Sequence, residues 1–160
     1  MLFRSFPSHD ITGNWTEGYG KLMVVNGKIL QGEKDRELAY QNISIRNENE
    51  ALNDLINRFA KNEKFVRSKL KVPVKNNVID ALCLHYDNCG YSETLFRLIN
   101  LNMLDEVRKF WLTRYTTSSG VRYSGLVVRR ACEYHLFATG EINYNAYEIY
   151  PESLRLYNEK

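Results

Sequence analysis

The sequence predicts an α+β chain, mainly α, with a small antiparallel sheet first and helices after it. Three observations predict it. Up to Gly32, strand-favouring residues alternate with tight-turn pairs; from Glu33 on, apolar residues recur at helical spacings; and 160 residues, 44% hydrophobic, suffice for one domain with a real core. The expected division is a β-containing lobe over about 1–46, a connecting helix over about 47–71, a helical lobe over about 72–140 and a tail over 141–160.

The first hairpin is read from Asp10 to Gly20, where Gly13-Asn14 makes a tight turn and Trp15, Thr16 and Tyr19 favour strands. Asn26-Gly27, inside the apolar run Lys21 to Leu30, signals a second hairpin. Glu33 to Tyr40 has acids early and helix formers throughout, as a first helical turn prefers. From Asn47 to Lys71, Leu52, Leu55, Ile56, Phe59, Phe65, Val66 and Leu70 predict one apolar helix face, with a break near Lys61-Asn62. After Pro73, Asn77 to Leu84 reads as a central apolar helix stopped by Gly90. Ser92 is placed to cap a helix carrying Leu95, Leu98 and Ile99, and Asn102 to stop it. Met103 to Thr113 repeats the pattern, Thr116 to Gly120 reads as a loop, and a last long helix begins near Gly125.

Composition excludes several classes of function. No apolar run is long enough to span a membrane, and the opening residues are too polar for a signal-peptide core, so a soluble chain without an export address is expected. Three cysteines, Cys83, Cys89 and Cys132, are odd in number and lack metal-ligand spacing, so they read as core thiols of a reducing cytosol. The histidines His9, His85 and His135 are far apart, and no phosphate loop or serine elbow is present. No metal, cofactor or nucleic-acid partner is expected. The net charge of +3 suits a polyanionic surface without requiring one, and the 11 tyrosines either pack or stack on sugars.

Two stretches carry chemistry. Asp10 stands six residues ahead of Thr16 across the glycine turn, an arrangement that also occurs as plain turn chemistry. Gly125-Leu126-Val127-Val128-Arg129-Arg130-Ala131-Cys132-Glu133-Tyr134-His135-Leu136-Phe137 places an arginine pair on a helix, which elsewhere is a solvated, salt-bridging face. The first stretch resembles the Asp-x5-Thr hairpin of the phage-type lysozymes (endolysins), which reads Asp-x-x-Gly-x-x-Thr-Ile-Gly-Tyr-Gly-His. The second matches that family's Gly-Leu-Val-x-Arg-Arg-x-x-Glu-x-x-Leu-Phe pattern. Between them, in family order, stand Val72-Pro73-Val74 with Asp80-Ala81-Leu82, and a Leu-x-x-x-Asn helix from Leu98 to Asn102. The resemblance covers roughly Leu2 to Gly140.

The resemblance implies a lysozyme-like fold, a small β lobe joined by a long helix to a helical lobe. It implies hydrolysis of the β-1,4 bonds between N-acetylmuramic acid and N-acetylglucosamine in bacterial peptidoglycan. Asp10 would then stabilise the positive sugar or position water, Thr16 would hold that water, and Arg129 would orient the acid carboxyl by bidentate hydrogen bonds. Tyr19 and Glu17 would flank the substrate or the acid. The chain would be made in the host bacterial cytoplasm and act at the cell wall or in the virion, beside other virion proteins.

The chain departs from the family pattern at three places. The acid, a glutamate nine residues before the aspartate, is replaced by Met1, and the helix that carries it is absent. Lys21 stands where histidine usually follows Gly-Tyr-Gly, and Glu17 fills an apolar slot, where a carboxylate must find a cation or reach water. Tyr150 to Leu156 loosely resembles the family's opening Phe-Glu-Gly-x-Arg-Leu, so a tail helix would bring Glu152 toward Arg129 as a substitute acid, or would only fill an apolar groove. The sequence therefore supports two readings: an impaired peptidoglycan hydrolase, or a non-catalytic lysozyme-like glycan-binding or virion structural protein.

Overall fold

The computed structural model describes residues 2–159, and helix dominates after a set of short strands. Two compact units are present, Met1–Ala60 and Lys61–Lys160. In the first, β1 (Arg4–His9) pairs antiparallel with β2 (Trp15–Gly18), and β2 pairs with β3 (Lys21–Leu22). Pro7 falls on the edge strand where the register slips between Arg4 and Ser8, a place where its missing N–H costs no ladder bond. β4 (Val24–Val25) and β5 (Lys28–Ile29) close the second hairpin. Asn26 and Gly27 both have positive φ, 51° and 76°, as a two-residue hairpin turn of the right twist requires.

A small core sits under these strands. Trp15, Met23, Leu30 and Ala39 are all at most 4% exposed, and the Trp15 indole donates to the Gly32 carbonyl at 2.8 Å. After a 3-10 turn at Glu33–Asp35 comes α1 (Arg36–Gln41), as the acid-rich start at Glu33 predicted.

The long helix α2 (Glu48–Lys69) runs without the break expected near Lys61-Asn62. Its apolar face also differs from the expected one. Leu52 and Ile56 are 46% and 57% exposed, whereas Ala51 and Val66 are fully buried. The covered line follows positions 51, 55, 59, 62 and 66, so small Ala51 and polar Asn62 take places that a search for large apolar residues assigns elsewhere.

The second unit contains α3 (Asn76–Cys89), α4 (Glu93–Asn100), α5 (Leu104–Thr113), α6 (Ser124–Thr139) and α7 (Pro151–Asn158). The Ser92 hydroxyl accepts from the Leu95 amide at 3.3 Å, making the predicted cap. α6 is the hub, packing against α3, α5 and α7, so the centre lies there rather than at α3 alone. The stretch expected to be a loop, Thr116 to Gly120, is instead a hairpin of β6 (Thr117–Ser118) and β7 (Val121–Arg122). Ser119 and Gly120, with φ of 50° and 77°, supply its turn. Cys83 is buried and Cys89 and Cys132 are half-buried, all as free thiols. No helix among the described residues is long and apolar enough to cross a membrane.

Candidate functional site

The residues singled out in sequence fall into two groups, one in each unit. In the first, Asp10 occupies the β1–β2 turn. Its Oδ1 accepts from the Thr12 amide at 2.8 Å, the Thr12 hydroxyl at 2.6 Å and the Asn14 amide at 2.9 Å. Among the described residues Oδ2 has only the Asn14 side-chain amide at 3.3 Å, so one carboxylate oxygen builds the turn and the other keeps acceptor capacity. The Thr16 hydroxyl donates to the Ser8 carbonyl at 3.1 Å. A water held there must therefore donate to the Thr16 oxygen.

Glu17 points inward. It is 4% exposed, and its carboxylate accepts from the Ser44 amide at 2.9 Å, the Ile45 amide at 3.0 Å and the Ser44 hydroxyl. Lys21 Nζ lies 3.6 Å from the same carboxylate and donates to Ser44 Oγ at 2.9 Å. Burial alone would raise the Glu17 pKa, but the Ser44 hydroxyl, the Ile45 and Ser44 amides and Lys21 outweigh it and hold it below the ordinary value. Two departures from the family pattern thus join in one device. The carboxylate in the apolar slot and the lysine in the histidine slot pair with each other and pin the segment before α2.

Tyr19 donates to Glu48 Oε1 at 2.7 Å, an interaction that raises its pKa, and its carbonyl accepts from Arg58 at 2.8 Å. Between Glu17 and Tyr19, Gly18 has φ +57°, and a Cβ there would lie 2.8 Å from Ile45 Cδ1 and 3.2 Å from Ala51 Cβ. Gly18→Ala is expected to destabilise the protein by about 1–3 kcal/mol, because the left-handed backbone and the close packing both oppose a side chain. A urea unfolding midpoint equal to wild type would show that this backbone relaxes freely.

In the second unit, Arg129, Arg130 and Glu133 share one turn of α6. Glu133 Oε1 accepts from Arg130 at 2.8 Å and from Arg129 Nε at 3.2 Å, and Oε2 accepts from the Trp111 indole at 3.3 Å. Arg130 is fully buried; it also donates to Asn88 Oδ1 at 2.7 Å and contacts Cys89 Sγ. The Arg-Arg-x-x-Glu spacing, three and four residues along a helix, is the signal in the sequence that could have assigned this pairing. His85, 1% exposed, sits with its ring edge-on to Trp111 and Tyr115. Burial first, then Arg130 and Arg129, push its pKa down to about 3, so it stays a neutral imidazole near neutral pH. Burial also pushes the Cys89 thiol up to about 11, against the reactive thiolate form.

Glu152 does not meet Arg129. It forms a two-bond pair with Arg108, at 3.0 and 3.1 Å, and the hydrogen bond from Arg108 holds its pKa below the ordinary value. The tail helix docks through this pair, through buried Ser153 and Leu156, and through Tyr150, whose hydroxyl lies 2.8 Å from His135 Nδ1. The expected approach to Arg129 fails because Arg108, on α5, is the nearer cation, while Arg129 has an intrahelical carboxylate of its own. Met1, at the position assigned to the acid, lies outside the described residues. Among the described residues, no three His, Cys, Asp or Glu side chains are grouped to hold a metal ion.

Comparison with known proteins places this arrangement. The structure is similar to an endolysin from the Escherichia coli O157:H7 phage FAHEc1, at 20% identity and a TM-score of 0.61, covering 89% of this chain and 87% of that one. It is also similar to the muramidase domain of SpmX from Asticaccaulis excentricus, at 20% identity and a TM-score of 0.58, covering 86% and 88%. At such identity these likenesses establish the fold. No curated protein matches the chain. The model of the phage lysozyme family matches residues 3–133, which takes in the Asp10 hairpin and the Arg129, Arg130 and Glu133 turn of α6. The chain belongs to the phage lysozyme family.

Proposed function

We propose that the chain acts on the glycan strands of bacterial peptidoglycan, at the β-1,4 bond between N-acetylmuramic acid and N-acetylglucosamine, with general acid catalysis impaired. The observation that carries this reading is the family match across Asp10, Thr16 and Arg129, with Glu152 paired to Arg108 rather than standing beside Arg129 as an acid. Asp10, through its less engaged Oδ2, stabilises the positive sugar or positions water. Thr16 accepts a hydrogen bond from that water, and Arg129 orients a carboxyl group. Synthesis in a host bacterial cytoplasm and action at the cell wall or in the virion go with this reading.

A second reading, a glycan-binding or virion structural protein without catalysis, is favoured by one observation. Glu133 and Glu152 both have their carboxylates paired with arginines of this chain, an arrangement that does not present either as a free acid to a glycosidic oxygen. Muropeptide release from purified peptidoglycan separates the readings. A rate about 10²–10⁴-fold below that of an intact phage lysozyme, abolished by Asp10→Asn, supports the impaired hydrolase. Retention on peptidoglycan with no release supports the binding protein, and release at a full lysozyme rate contradicts both.

A further inference from the structure

Arg129 is held at one point. Its Nε donates to Glu133 Oε1 at 3.2 Å, and its two terminal amino groups make no hydrogen bond among the described residues. Thirty per cent of its side chain is exposed, against 3% of Glu133 and none of Arg130. A guanidinium has two ways to take a carboxylate through two parallel bonds: along the Nε edge or across the two terminal nitrogens. Occupation of Nε by Glu133 removes the first and leaves the second.

The acceptor is itself buried and held at both oxygens. Glu133 Oε2 receives the indole of fully buried Trp111, and Oε1 receives buried Arg130, which Asn88 fixes in turn. An ordinary helix ion pair four residues apart joins two mobile side chains and is worth little. Here one partner is anchored by two fully buried groups.

Resting on the reading that Arg129 grips a carboxyl group, we infer that Glu133 is its positioning residue: it holds the guanidinium by Nε so that the terminal nitrogens face outward as a fork. Glu133 touches no substrate in this role. Arg130 and Trp111 keep it in place.

The test is side-chain NMR on the folded chain, with acetate as the carboxylate probe and Arg129→Lys to assign the signal. In wild type, acetate shifts the terminal-nitrogen resonances of Arg129. Glu133→Asp keeps the charge beside Arg130 but withdraws it by one methylene, so the Arg129 affinity for acetate falls at least threefold. Glu133→Gln keeps the reach and stays within about twofold of wild type, a pattern that loss of charge alone would reverse. An equal acetate response in wild type and Glu133→Asp overturns the positioning role and leaves the carboxyl-gripping reading intact. No response in wild type overturns both. Should neither variant fold, wild type still decides. Exchange of the Arg129 Nε proton with solvent is expected at least tenfold slower than that of exposed Arg155, and equal rates overturn the inference.

Discussion

Glu133→Leu is expected to cost about 3–5 kcal/mol of folding stability, and adding Arg130→Met to recover the part of that loss due to the buried charge. The single change leaves the guanidinium of fully buried Arg130 with a neutral amide oxygen and a thiol, and no carboxylate. An uncompensated charge away from water is among the few single-residue defects that reach this size. The indole N–H of Trp111 also loses its acceptor, at about 1–3 kcal/mol, and this part persists in the double variant because Met at 130 supplies no acceptor. Arg129, partly exposed, turns to solvent at little cost. Urea unfolding of the four proteins in the cycle measures the coupling. A single-variant cost under about 1 kcal/mol, or a double variant less stable than Glu133→Leu, would sink the account.

The same network shows what the sequence made legible and what it hid. The Asp10 hairpin, the Asn26-Gly27 turn and the Ser92 cap were readable because each is local: a turn or cap is decided by the conformations and hydrogen bonds of residues two to four apart. Arg129 is legible as a motif position, but its carboxylate is not: an approach of Glu152 is one of two readings of the tail, and Glu152 pairs with Arg108 instead. The intrahelical partner Glu133 lay inside the quoted motif, while Arg108, which takes Glu152, lies 44 residues from it. The Ser119-Gly120 hairpin was passed over because two-residue strands carry almost no periodicity. On α2 the miss has a different cause. Side-chain size was read as burial, yet Ala51 packs where the Gly18 backbone comes close and leaves no room for a larger residue. Where long-range pairing decides, composition at a position says only that a partner is needed. Glu17 required a cation or donors, and Ser44, 27 residues away, could not be named from the sequence.

Glu17→Gln is expected to lower stability by about 1.5–3 kcal/mol near neutral pH, since charge-assisted bonds from two amides and a hydroxyl are replaced by neutral ones. The effect must depend on pH in one direction. The folded protein holds Glu17 below its ordinary value, so the unfolded chain binds the proton first as pH falls. The stabilisation is then complete above the unfolded pKa, about 4.3, and is lost as pH falls through the lower folded value. Unfolding free energies measured from about pH 7 down to about pH 3 should show the wild-type advantage constant at first and closing below about pH 4. Ser44→Ala separates the contributions: it removes the hydroxyl but keeps both amides, so its cost should be only about 0.5–1.5 kcal/mol with a similar pH profile. A gap between wild type and Glu17→Gln that persists unchanged to about pH 3, or widens there, would mean that the carboxylate is not what pins Ser44 and Ile45. The pairing of the two unusual residues, Glu17 and Lys21, would then be incidental to the fold.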